Sequence, residues 1–414
     1  MPHSLFVFSL VFFCALSAGF SSENWPGWRG PRGDGSVIAP NLPVKWSLED
    51  DVRWKVELPG KGHSSPIIWE DRIFVVTAIE ETRERVLQCL DRTTGEEVWR
   101  KTVLEAPFEG IHRLNSRASS TPATDGRHVY VSFLDEGNMF IAAYDYLGNQ
   151  VWVARPGVFS SKHGYCSSPI LWDNKVIING DHDGNAYIVA LDRRTGQTLW
   201  KTDRPNKTRS YCTPIIRTIG DRNQMILSGS KSVASFDPDT GRQHWVMDGP
   251  TEQFVASLVY NGRYLFLTCG FPERHMMAIR PDGSGNVTDT AIVWRTTKGA
   301  SYVPSPVSIG DYFLVVADNG VASCFEADSG ERLWQERLIA DQGISPKHSA
   351  SLLAANGLAY FLSDSGVMTV VRPGPSLEIV GTSYLDEEAY ASPAVYDNQL
   401  FVRGLQHLFC IGKK

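Results

Sequence analysis

The chain has 414 residues, of which 42% are hydrophobic and 21% charged, with a formal net charge of -6. That balance argues against intrinsic disorder and against a nucleic-acid-binding surface, which would favour a basic domain. No apolar stretch after residue 20 is long enough to span a bilayer, so no membrane span is expected once the N-terminus is removed.

Residues 5–20, LFVFSLVFFCALSAGF, form one apolar run followed by small residues. This reads as a secretory signal over 1–20, cleaved to give a periplasmic or secreted protein. The alternatives are an uncleaved anchor and lipid attachment at Cys14, where bulky Phe13 stands in place of a small residue. Residues 21–51 contain the turn-rich stretch from Glu23 to Gly35, ENWPGWRGPRGDG. It cannot be a strand, and is expected to lie across one face with Trp25 and Trp28 as anchors. Residues 52–414 then form the body of the protein.

Two repeats run through that body. The first is Ser-Ser-Pro or a near relative: His63-Ser64-Ser65-Pro66, Ser119-Ser120-Thr121-Pro122, Cys166-Ser167-Ser168-Pro169, Tyr211-Cys212-Thr213-Pro214, Val303-Pro304-Ser305-Pro306 and Tyr390-Ala391-Ser392-Pro393. Phe254–Ser257 and His348–Ser351 read as degenerate copies, which makes the steps 42 to 56 residues. That period in β-rich sequence points to propeller blades. The second repeat is out of phase and reads A-x-D-x-x-T-G-x-x-x-W, clearest from Ala190 to Trp200. Its Asp accepts backbone N–H bonds and its Gly takes the left-handed conformation of a turn. The Trp that follows can wedge between neighbouring sheets. The docking residues are Trp54, Trp99, Trp152, Trp200, Trp245, Trp294 and Trp334. The copy ending at Trp294 carries an insertion, and the copy near Val380 has lost its Trp.

Each unit holds four short strands; in the third they are expected at 168–172, 175–179, 186–192 and 198–202. Eight first strands can be counted, but the eighth unit ends without a fourth strand. The segment around Trp54 supplies it. The predicted fold is therefore an all-β, eight-bladed β-propeller, closed by pairing of the N-terminal strand with the C-terminal blade, which leaves no open edge.

Six cysteines remain after the signal. Cys89, Cys324 and Cys410 share a register position with Ala143, Ala190, Ser235 and Ala278, a small buried slot rather than a disulfide framework. Cys166 and Cys212, in adjacent repeats, are the one pair worth testing for a bond.

The Trp frame resembles the docking motif of quinoprotein-type, PQQ-like propellers, over roughly residues 45–412. That family is eight-bladed. It includes dehydrogenases that use pyrroloquinoline quinone and the BamB scaffold of outer-membrane β-barrel assembly. The opening from Trp25 to Gly35, with Asn179-Gly-Asp-His-Asp-Gly184, is also similar to a group of exported proteins from planctomycete-type bacteria. The dehydrogenases carry a vicinal cysteine pair under the quinone and acidic and amide ligands for calcium. This chain has no Cys-Cys and no C-x-x-C-H haem site. Asp181-His-Asp-Gly-Asn185 has the look of a calcium-loop fragment, but equivalent turns at Asp135, Asp318 and Asp364 make it turn chemistry. No quinone or metal is expected to be bound.

No nucleophile constellation stands out. First strands line the axis of a propeller, so residues just before each Ser-Ser-Pro ring its mouth. Those positions hold Lys61, His63, Arg117, His163, Tyr165, Arg209, Tyr211, Lys347, His348 and Tyr390, a cationic and aromatic set in an acidic chain. Glu109, Glu252 and Glu388 offer internal ion pairs. The loops 77–85 and 102–118 open onto the same face. The expected function is a non-catalytic binding or scaffold propeller of the bacterial cell envelope, with an envelope protein or a small anionic or glycan ligand at this funnel. A small-molecule redox enzyme and a glycan- or polyanion-binding propeller are the alternatives.

Overall fold

A computed structural model describes residues 23–339 and 344–413. The expected signal at 1–20 and the lipid-attachment candidate Cys14 lie outside the described residues. Those residues form eight sheets, each built on a four-stranded antiparallel meander. In the third, the strands are Ile170–Trp172, Lys175–Gly180, Tyr187–Asp192 and Thr198–Asp203, within a residue or two of the expected bounds. The middle two strands are buried along nearly their whole length, while the outermost alternates. This is the burial expected of sheets packed face to face around an axis.

The ring closes as the repeat count required. Val52–Glu57 pairs with His407–Ile411, so the outer strand of the last blade comes from the start of the body and its three inner strands from the end. The insertion before Trp294 is also accounted for. Gly285–Asn286 leaves the fifth blade and pairs in parallel with the outer strand of the fourth, Gln243–Asp248.

Each docking Trp faces a small partner on the strand paired with its own. Trp54 lies opposite Cys410, Trp99 opposite Cys89, Trp152 opposite Ala143, Trp200 opposite Ala190, Trp245 opposite Ser235, Trp294 opposite Ala278 and Trp334 opposite Cys324. A larger residue there would push the indole off its seat. That is the physical reason for the small slot, and all six described cysteines are free thiols, Cys166 and Cys212 included. Every one of these indoles donates its Nε1–H to a carbonyl in the turn of the next blade, at 2.8–3.2 Å. That turn is shaped by its Asp: in the third blade Asp192 Oδ1 accepts the N–H of Arg194 and Thr195, both at 2.9 Å.

A second girdle runs around the axis. The backbone N–H of Ser65 donates to Thr121 Oγ1, that of Thr121 to Ser168 Oγ, and so on through Thr213, Ser257, Ser305, Ser351 and Ser392, at 2.9–3.4 Å. This ladder corrects the sequence register at the two degenerate copies. The girdle residues are Ser257 and Ser351, so each copy shifts by one and has Leu258 or Leu352 where the others have Pro. The girdle is open at one joint, since Ser65 Oγ is buried with no partner. There, at the seam of the last and first blades, the buried Arg403 donates to Ser64 Oγ at 2.7 Å and Val76 O at 2.8 Å. Burial pushes its pKa down to about 9.

Residues 23–51 cross the face opposite the mouth. Trp25 bridges Ile68 in the first blade, Pro26 O accepts from Thr124 N in the second, and Arg217 of the fourth reaches Asp34. Ser36–Val37 adds a parallel strand to the inner edge of the seventh blade, at Leu353–Ala355. The same segment covers the blade that lacks its Trp. Trp46 is buried, its N–H donates to Ser383 Oγ at 2.9 Å, and the chain at Val44 runs so close to Gly381 that any Cβ there would collide with it. No helix of the described residues is long and apolar enough to cross a membrane.

Candidate functional site

The axial channel opens on the mouth and is stopped at the other end. Trp28, held by its Nε1–H to Ser257 Oγ at 3.2 Å, sits in the lining of the channel and forms its floor. The result is a blind cup of about 680 Å³, inside the range of small-molecule sites.

Of the expected mouth residues, the structure brings His63, His163, Arg209, Tyr211, Lys347, His348 and Tyr390 into the wall. Lys61, Arg117 and Tyr165 are not in it. Lys61 forms a bridge with Ala78 and lies 3.6 Å from Glu80. Arg117 turns to the same Glu80, at 3.1 Å, and stacks over Phe108. Tyr165 is drawn into the core against Phe159, with its hydroxyl 3.2 Å from Ser132 Oγ. Glu109, one of the acidic exceptions, is bound to the buried Arg85 at 2.6 Å.

Sequence reasoning missed much of the rim. Arg113 comes from the long 102–118 connection, and Lys162 precedes the third girdle copy. Arg274 and Asp318 come from second hairpin turns, and Arg337 from the end of an outer strand. The signal was the position of those turns on the mouth side; the one at Asp318 was read only as turn chemistry, and the one at Arg274 was not considered. Asp318 pairs with Arg274 at 3.0 Å and Arg209 with Asp183 at 2.8 Å. Asp181, of the loop that looked like a calcium fragment, is buried against Arg204 at 2.9 Å. Arg113, Lys162 and Lys347 have no ion-pair partner among the described residues, so the rim carries surplus positive charge.

Three histidines of the wall, His63, His163 and His348, do not add to that charge. Burial, then the nearby Arg403 guanidinium, pushes His63 down to about 4. Burial pushes His348 down to about 4 against its bond to Pro346 O. His163 is also lowered, by burial and then by Arg209. At neutral pH these rings are uncharged hydrogen-bonding groups, and His63 stacks on Tyr390 at 4.8 Å. Asp364 is the opposite case. Burial raises its pKa, countered by the Ser349 hydroxyl at 3.2 Å.

A pH dependence of stability follows. An unfolded histidine titrates near 6.5 and these near 4, so the unfolded state binds more protons between those values. Stability is held above pH 6.5 and lost as the pH falls towards 4, by about 1.4 kcal/mol per pH unit for each ring. Urea midpoints at pH 7 and pH 5 check this. His348→Gln should shrink the difference, and an unchanged difference would contradict the assignment.

Comparison with known proteins agrees with this architecture. The family model for outer membrane protein assembly factor BamB matches residues 82–336, more than half of the chain. The chain belongs to that family. The BamB of Shewanella oneidensis is 24% identical over 241 residues, covering 55% of this chain and 56% of that protein. Polyvinylalcohol dehydrogenase from a Sphingopyxis species is 20% identical over 370 residues, covering 77% of this chain and 51% of that protein. The matches thus span little more than half the length of these relatives. Among solved structures, quinohemoprotein alcohol dehydrogenase from Comamonas testosteroni superposes with a TM-score of 0.66 at 12% identity, covering 94% of this chain and 81% of that one. At that identity the likeness is one of fold.

Proposed function

We propose that this protein is an exported, non-catalytic binding propeller of the bacterial cell envelope, which engages a ligand or protein partner at the axial cup. The observation that carries the reading is a blind cup whose rim holds Arg113, Lys162 and Lys347 without ion-pair partners among the described residues. Unpaired charge converging on a concave site favours oppositely charged partners. Family membership supports a scaffold, and an envelope location fits both that membership and the apolar N-terminus.

The similarity to polyvinylalcohol dehydrogenase raises a redox reading, but the cup does not supply its donor set. No three His, Cys, Asp or Glu side chains among the described residues gather to hold a metal ion. Cys166 is the one cysteine in the wall, with no second cysteine to make a vicinal pair.

Native mass spectrometry of protein isolated from its own envelope tests the proposal. A bound species should appear, and should be lost in Lys162→Glu/Arg337→Glu protein. In parallel, dye reduction with alcohols or sugars should stay at background after addition of pyrroloquinoline quinone and calcium. Turnover in that assay, or a bound species indifferent to the rim, would overturn the reading.

A further inference from the structure

The chemistry of the cup narrows what it takes. Every girdle hydroxyl that links two blades spends its oxygen on the N–H of the blade before. Thr213, Ser257, Ser305, Ser351 and Ser392 do so while also lining the cup. None of their hydroxyl hydrogens finds an acceptor among the described residues, and Ser257 accepts a second bond, from Trp28. The lower wall therefore presents a ring of O–H donors, because a hydroxyl that has accepted still has its own proton to give. Above it, Arg113, Lys162 and Lys347 are donors that form no ion pair among the described residues, Lys347 acting on the Asp364 carboxylate only through its field. The cup is donor-rich from floor to rim, so its complement is rich in acceptor oxygens and negatively charged.

Size and surface set further limits. A cavity of about 680 Å³ is far larger than a bare oxyanion. Tyr211, Tyr302 and Tyr390 line the cup together with the polar groups, and the Trp28 indole lies at the base. Asp318 and Asp364 in the wall can accept from hydroxyl groups, so a ligand with both hydroxyls and acid groups uses every kind of side chain present. The floor sets direction: a polymer cannot thread the ring, and enters only by an end.

We infer that the cup binds the end of a short acidic saccharide, a uronate or sulfate-ester sugar, with its ring between the tyrosines and its acid groups at the rim. This rests on the reading of the cup as a binding site. Arg113 and Lys347 hold the acid groups from the rim. Trp28 limits depth.

Calorimetric titration tests it, with trigalacturonate and a sulfated heparin disaccharide as probes. Cellotriose, an acidic hexapeptide and inorganic sulfate are the comparisons. Binding is expected for the two acidic sugars, at least about tenfold tighter than for any comparison compound. It should weaken about tenfold or more in Arg113→Glu/Lys347→Glu protein and fall with added salt. Both residues are exposed, so an unchanged melting temperature verifies the fold of the variant. At equal mass, polygalacturonate should bind in proportion to its chain ends. Binding of the peptide alone, lost in the double variant, would overturn the saccharide and leave the cup as a site. Equal binding along the polymer would overturn end-on entry. No binding of any probe, with a bound species also missing from native protein, would overturn both the inference and the proposed function.

Discussion

Trp54→Ala is expected to lower the stability of the whole ring by about 3 kcal/mol, the lower end for loss of a large aromatic side chain, because the indole is only partly buried. Trp54 is the outer-strand residue of the last blade and the docking residue onto the first. Its Nε1–H donates to Arg92 O at 3.0 Å, and its ring rests on Gly95, where a Cβ would come within 2.7 Å. Gly95 has φ of 77°, a conformation that favours glycine, so the contact is doubly specified. Trp99→Ala removes the same kind of contact, onto Tyr146 O, at an internal joint. The two substitutions should differ in where they act. At the internal joint the chain itself still ties the blades together. At the closure, Val52–Glu57 is held to His407–Ile411 by pairing and packing, with no covalent connection between them. Hydrogen exchange should rise over 52–57 and 407–411 in Trp54→Ala and stay low there in Trp99→Ala. Equal exchange in the two variants would mean that the seam is not the weak joint.

Arg29→Ala is expected to release the N-terminal extension from a ring that remains folded. The Arg29 side chain is buried, and burial pushes its pKa down to about 10. It donates to Asp34 O at 2.7 Å, Pro306 O at 2.5 Å and Leu352 O at 3.3 Å, tying its own segment to the sixth and seventh blades. Its loss leaves those carbonyls without their donor, at a cost of about 3 kcal/mol. The backbone around Arg32 and Lys45, whose side chains already reach solvent, would then be free to enter a protease, and limited trypsin digestion should cut there well before it cuts the blades. The Trp28 floor would go with it, so the fluorescence of the variant should shift towards that of a solvated indole. A digestion pattern unchanged from the parent protein would show that Arg29 does not hold the extension.

Much of the ring was legible because each of its devices is local. The Asp–Gly turn, the Trp and the small residue opposite it sit within one hairpin, as at Cys89 and Trp99. A pattern repeated at such short range survives as a sequence pattern. The frame was less secure where the repeat decayed. Ser257 and Ser351 keep the girdle hydroxyl but lose the proline, and matching by composition placed both copies one residue off. The seventh blade, read as eroded at Val380, is completed by Trp46 from a segment that carries no repeat at all.

The mouth was harder to read. Position before each repeat identified seven wall residues and misplaced three. Whether a side chain at that position meets the axis depends on what else is within reach. Arg117 found Glu80 and Phe108, and Tyr165 found Phe159. Arg113, Arg274 and Arg337 entered the rim from loops and strand ends that no period marks.

The sequence by itself determined the repeat, the number of blades and the closure at Trp54, because these follow from short-range patterns and a count of strands. Only the tertiary structure decided that the channel is a cup and which charges remain unpaired within it. Its floor rests on a bond between Trp28 and Ser257, 229 residues apart, and no local rule joins two residues at that distance.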